Sequence, residues 1–258
     1  MPNADLIKVF EVISLIASAA LAVKLFATSL WKHYPIFFLY FVFRVLNTAW
    51  PLLIDVNSKT YQKVWMLTEP ISWLFHILVV VELYRLVLQG HKGIYTLGRW
   101  AMYGALAIAI PISVLSLIPH FKPRITQISR YMGYEIATAR GIDFALAIFL
   151  LLILLFLSRY PIKLSRNVVV HATLYTLFFL AGAFTLFWRT ISGLDANRAT
   201  NLVFLGISCA CIIAWLIFLS PHGEEVQANF PTISPQREKA ALRQLASLNA
   251  TLLKVSGK

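Results

Sequence analysis

Acidic residues are scarce in this sequence: 11 Asp and Glu among 258 residues, beside 23 Lys and Arg. Charge of either sign makes up only 13% of the chain, about half the share usual in a soluble domain. Hydrophobic residues make up 59%, and the mean hydropathy is +0.73. A soluble core cannot absorb that much apolar surface, so lipid must face much of it. Cysteine is nearly absent as well. Cys209 and Cys211 stand two apart in an apolar run, and on a helix such side chains diverge by about 200°. That excludes a disulfide between them and a CxxC redox centre.

The signatures of catalysis are missing too. There is no HExxH, no GxSxG and no glycine-rich phosphate loop. The six histidines are scattered, and none inside an apolar run has a ligand partner three or four residues away as a helical metal site needs. His222-Gly223-Glu224-Glu225 is a weak metal pattern better read as the start of a solvated tail. An enzyme is therefore not expected, and neither a cofactor nor a metal. The last apolar run lacks the lysine that carries retinal in rhodopsins. The only Pro-Gln pair, Pro235-Gln236, lies outside the apolar runs, unlike the pairs of PQ-loop transporters.

What is present is a series of long apolar runs. Seven approach the roughly 20 residues that cross a bilayer, at about 6–29, 35–54, 63–86, 97–118, 140–158, 168–188 and 200–219. The expected fold is an all-α, polytopic membrane protein: a seven-transmembrane-helix bundle over 1–220 and a tail over 221–258. The opening residues, MPNADLIKVFEV, carry no basic n-region and lead into a full span, unlike a secretory signal.

A formal charge of +12 would suit nucleic acid if it were concentrated. Here the basic residues fall between the apolar runs, where they set topology instead. With the N-terminus outside and the C-terminus cytoplasmic, about thirteen Lys and Arg lie inside and about nine outside. The compact chain points to a bacterial inner membrane, with the lipid bilayer as its surroundings and no nucleic acid as partner.

In the tail, Ser234 and Pro235 suit the start of an amphipathic helix over about 235–255. Its seam is Ala241, Leu245, Leu248 and Leu252. Such a helix is expected to lie on a membrane surface, bind a protein partner or self-associate. An internal echo, His33-Tyr34-Pro35-Ile36 against Arg159-Tyr160-Pro161-Ile162, raises the prospect of two parallel three-helix repeats.

Ionisable residues at membrane depth mark the functional candidates. The third run carries Glu69, His76 and Glu82. Glu69 and His76, seven apart, fall within about 20° of each other on a helix, about 10 Å apart along its axis. Trp65, Ser72 and Trp73 lie near the same line, whereas Leu67, Ile71, Leu74 and Leu78 form an aliphatic face for lipid. In the second run Tyr40, Arg44, Asn47 and Thr48 share a face. Tyr40, Arg44, Asn47, Glu69, Trp73 and His76 are accordingly the candidate ligand-binding residues, with an Arg44–Glu69 pair offsetting the burial of both charges. Pro70 and Pro111 are candidate flex points. Glu82 and Arg85, three apart, are expected to form an ion pair at the inner end, and Asp143 to pair with Arg140 at an outer helix end.

The function this implies is binding, and transport, of a small polar solute, ion or proton at an intramembrane site. His76 supplies the side-chain type that changes charge near neutral pH. The alternatives are a receptor-like sensory module that signals to a partner through its tail, and a structural or accessory subunit whose buried charges only order the bundle.

Overall fold

A computed structural model describes residues 2–52, 54, 58–88, 96, 100, 103, 104, 107, 111, 127–159, 164–192, 197–225, 243, 244, 246, 247 and 249–251. Most of the expected fourth span, the residues 119–126 and the tail seam lie outside these, as do 160–162 of the sequence echo. The described elements are helical: α1 (Pro2–Ala27), α2 (Pro35–Ala49), α3 (Lys59–Leu88), α4 (Gln127–Arg159), α5 (Arg166–Ser192), α6 (Asn197–Phe218) and a one-turn α7 (His222–Glu225). There is no strand among the described residues.

Five of the helices are long and apolar enough to cross a membrane, over Leu6–Ala27, Lys63–Leu88, Thr138–Leu155, Arg166–Thr185 and Ala199–Phe218. α2 is shorter, at 15 residues. Its length is about 22 Å, and the 3₁₀ turn Trp50–Leu52 that continues it adds about 6 Å. Together they come close to the roughly 30 Å of a hydrocarbon core.

The turn between α1 and α2 shows how local chemistry sets the bundle. Ser29 takes a left-handed backbone, φ 58°, and ends α1. Pro35 then opens α2, where its missing N–H costs nothing. Tyr34 offers no side-chain cap. The next two amides, of Ile36 and Phe37, donate to the Glu82 carboxylate at the end of α3, at 2.9 and 3.0 Å. Glu82 thus caps α2 from another helix and fixes both ends at one level, called here the near end.

Asn167 at the start of α5 and Ser220 just after α6 meet at this same end, where the Asn167 amide donates to the Ser220 carbonyl at 2.8 Å. α4 also ends there. Its Asp143 lies opposite His76 and its Phe149 opposite Tyr84, with ring centroids 5.2 Å apart, so α3 and α4 run parallel.

α1 packs against α6 and α2, and α5 against α4 and α6. Without water to expel between helices, close approach is the driving force. On α1 it uses Ser14, Ala17 and Ser18, all buried, with Leu21 and Leu25 below them. Lys24 Nζ donates to the Leu216 carbonyl and so satisfies an orphan acceptor at the end of α6. The aliphatic face of α3 is outward, with Leu67, Ile71 and Leu74 exposed.

Two expectations change. The fifth run begins as a helix at Gln127, so Asp143 sits well inside α4 and is buried. It is not at a helix end. The residues after Ser220 are not free tail either: α7 is folded against the bundle, with Gly223 buried.

Candidate functional site

The far half of the bundle encloses a cavity of about 380 Å³. Tyr40, Arg44, Asn47, Glu69, Trp73 and His76 all line it. The helical spacing that put three of these on one face of α2 and three on one face of α3 therefore brings both faces to a single space. α4 adds Asp143, α5 adds Phe178 and Gly182, and α6 adds Asn201 and Phe204.

A polar chain crosses four helices here. Arg44 donates from Nη2 to Ser208 Oγ at 2.7 Å and from Nη1 to Tyr40 Oη at 2.9 Å. Tyr40 Oη lies 3.4 Å from His76 Nε2. His76 Nδ1 stands 3.6 Å from Asp143 Oδ1, an ion-pair distance longer than a hydrogen bond. Aromatic rings hold the members in place. The Arg44 guanidinium lies 5.9 Å over the Phe178 ring, and the His76 ring meets Phe178 and Phe179 edge-on. Asp143 fits only because residue 182 is glycine: a Cβ there would stand 2.6 Å from Asp143 Oδ2.

The expected Arg44–Glu69 pair does not form. Arg44 turns along α2 to Tyr40 and across to Ser208, whereas Glu69 lies about 10 Å beyond His76 along α3 and makes no hydrogen bond or ion pair among the described residues. Asn47 accepts from Trp50 Nε1 at 2.9 Å. Three buried nitrogens at the cavity have no hydrogen-bond partner: Arg44 Nε, Trp73 Nε1 and His76 Nδ1.

Glu82 and Arg85 stand apart from this site. Glu82 is buried on the amides of α2 and Arg85 is exposed, with no nitrogen within 4.0 Å of the carboxylate. Around them is a second polar cluster. Tyr34 Oη donates to Glu224 Oε1, which also accepts from Asn167 Nδ2 at 2.6 Å. The Tyr34 hydroxyl is held protonated well above the usual tyrosine range, first by burial and then by the Glu224 carboxylate beside it. Gly223 packs so closely on Asn167 that a Cβ would collide with the amide oxygen. The buried His171 ring lies 4.6 Å from Tyr34 and 4.4 Å from Phe37.

Sequence reasoning missed Asp143 as a site residue, and Ser208 and Glu224 as partners. A signal for Asp143 did exist: it is an acidic residue at the head of a long apolar run, the same rule that singled out Glu69. Ser208, a lone hydroxyl in the uncharged stretch 201–219, gave none.

The class of protein these features define is a helical, multi-pass membrane protein with a polar cavity among its helices. Comparison with protein-family models, with curated proteins and with solved structures found no match, so the functional reading rests on the site.

Proposed function

We propose that this protein binds a small polar solute, ion or proton in the cavity and carries it across the membrane. The observation that carries the proposal is the unpaired Glu69 carboxylate in a cavity that also holds Arg44, His76 and Asp143. A half-buried carboxylate without a partner is costly at membrane depth, and a bound cation, proton or donor group removes the cost. Seven crossings, with the N-terminus outside and the C-terminus in the cytoplasm of a bacterial cell, complete the picture. The parallel course of α3 and α4 supports a crossing between them, which the sequence places at 97–118. The count along the sequence, about thirteen Lys and Arg inside against about nine outside, supports that orientation.

The test is uptake into vesicles reconstituted with the purified protein, over a panel of small polar solutes and with internal pH recorded. Uptake or proton movement is expected in wild type and is lost in Glu69→Gln with the helical content intact. Flux equal to that of empty vesicles across the whole panel would refute transport.

A sensory role is the second reading. It is favoured by the tie between Glu224, at the root of the tail, and Tyr34 and Asn167 in the bundle. If it holds, deleting 236–258 abolishes signalling and leaves ligand binding unchanged.

A further inference from the structure

The cavity leaves both kinds of hydrogen-bonding group without partners. On the acceptor side is Glu69, which is acceptor-only when ionised. On the donor side are Arg44 Nε and Trp73 Nε1, buried and unpartnered, neither of which can accept. The remaining charges are already engaged, since Asp143 faces His76 and the two terminal nitrogens of Arg44 are held by Tyr40 and Ser208.

A lone cation would answer Glu69 and leave the two donors unsatisfied. A lone anion would answer the donors and leave an ionised Glu69 bare. A neutral amide or sugar supplies no full charge for either. Unpaired polar groups in such a setting cost more than in water, so a ligand that satisfies both is favoured over one that satisfies half. The aromatic wall of Trp65, Trp73 and Phe43 suits an ammonium group, which binds over aromatic faces. A volume of about 380 Å³ lies at the small end of ligand sites.

We propose that the ligand is a small zwitterion, an ammonium and a carboxylate on one compact skeleton as in an amino acid or a betaine. Its ammonium is held by Glu69 against the aromatic wall, and its carboxylate accepts from Arg44 Nε and Trp73 Nε1. This inference rests on the proposed binding role of the cavity and names its ligand class.

The experiment is thermal unfolding of the full chain in detergent with millimolar glycine, glycine betaine, tetramethylammonium, acetate or acetamide. A ligand that binds only the folded state raises the midpoint in a saturable way. Glycine or glycine betaine is expected to do so by several degrees in wild type, beyond any of the other three. The shift is expected to vanish in Glu69→Gln and to shrink in Trp73→Phe. Tetramethylammonium matching the zwitterions, with Trp73→Phe unaffected, would overturn the zwitterion while leaving a binding site. So would acetate or acetamide acting alone. No shift with any probe in a folded wild type would overturn the ligand class and the binding role together. Should Glu69→Gln fail to fold, the ranking of probes on wild type and the Trp73→Phe comparison decide the matter.

Discussion

The two ends of the bundle treat their carboxylates in opposite ways. At the near end Glu82 takes two backbone amides, and Glu224 takes a tyrosine hydroxyl and an asparagine amide. Asn167 in turn bonds the Ser220 backbone. Each carboxylate there has its donors, although Nε2 of the neighbouring His171 ring has no partner. In the far half Glu69 has none, and three buried nitrogens lack partners. A satisfied network rigidifies a fold, whereas a half-satisfied one costs stability unless something else completes it. On the proposed reading, the near-end carboxylates fasten the molecule and the far cavity takes the ligand.

The sharpest way to break this contrast is to make the same change at both ends. Glu82→Gln places an NH₂ among amides that need acceptors, and removes a charge-assisted cap. A loss of about 3 kcal/mol is expected, read from reversible unfolding in mixed micelles. A loss under a third of that would mean that the near end is no fastening.

Gly182→Ala comes next. Its methyl would press on Asp143 and must displace it from His76. About 2 kcal/mol is expected from overpacking, together with weaker ligand binding. Unchanged binding would detach Asp143 from the cavity's function.

Tyr34→Phe removes one near-end hydrogen bond, worth about 1 kcal/mol, and adds a pH test. The folded-state pKa of Tyr34 is raised above its ordinary value of 10.0. Its contribution is thus fully present below pH 10.0 and is lost as pH climbs towards the higher folded value. Wild type should lose stability through that alkaline range, and Tyr34→Phe should lose less. Parallel curves for the two proteins would place the hydroxyl outside the fastening.

The smallest effect belongs to Glu69→Gln. With no partner to lose, stability should change by less than about 0.5 kcal/mol or rise slightly, while solute response disappears. A large destabilisation would show that Glu69 is structural after all, and the comparison would collapse.

Much of this was legible in the sequence, and the reasons differ by element. Hydropathy and length located five long helices, because a membrane imposes one length on every crossing. Spacing of 3.6 residues per turn assembled Tyr40, Arg44, Asn47, Glu69, Trp73 and His76 on two faces that do meet. Pairing was not legible. Arg44 has a long side chain with several donors, and only the depth of Ser208 on α6 and of Tyr40 on its own helix decides where they go. The role of Asp143 hung on where α4 begins. A helix that extends back to Gln127 through polar residues leaves no hydropathy edge to mark its start. Glu82 beside Arg85 read as a neighbouring pair. In space, however, the unfilled amides at the start of α2 lie closer to Glu82 and bond it with two donors.

The hydrogen bond from Tyr34 to Glu224 joins residues 190 apart in the chain. At about 5–20 residues per second of synthesis, the first turn waits roughly 10–40 s for its partner to be made. Until then the Tyr34 hydroxyl lacks its Glu224 acceptor. Glu82, only 45 residues from Phe37, arrives much earlier and can hold α2 meanwhile. The order of manufacture thus gives the near end a provisional clasp first and a final one last. A nascent chain halted before residue 224 would carry its helices without the bond that closes them.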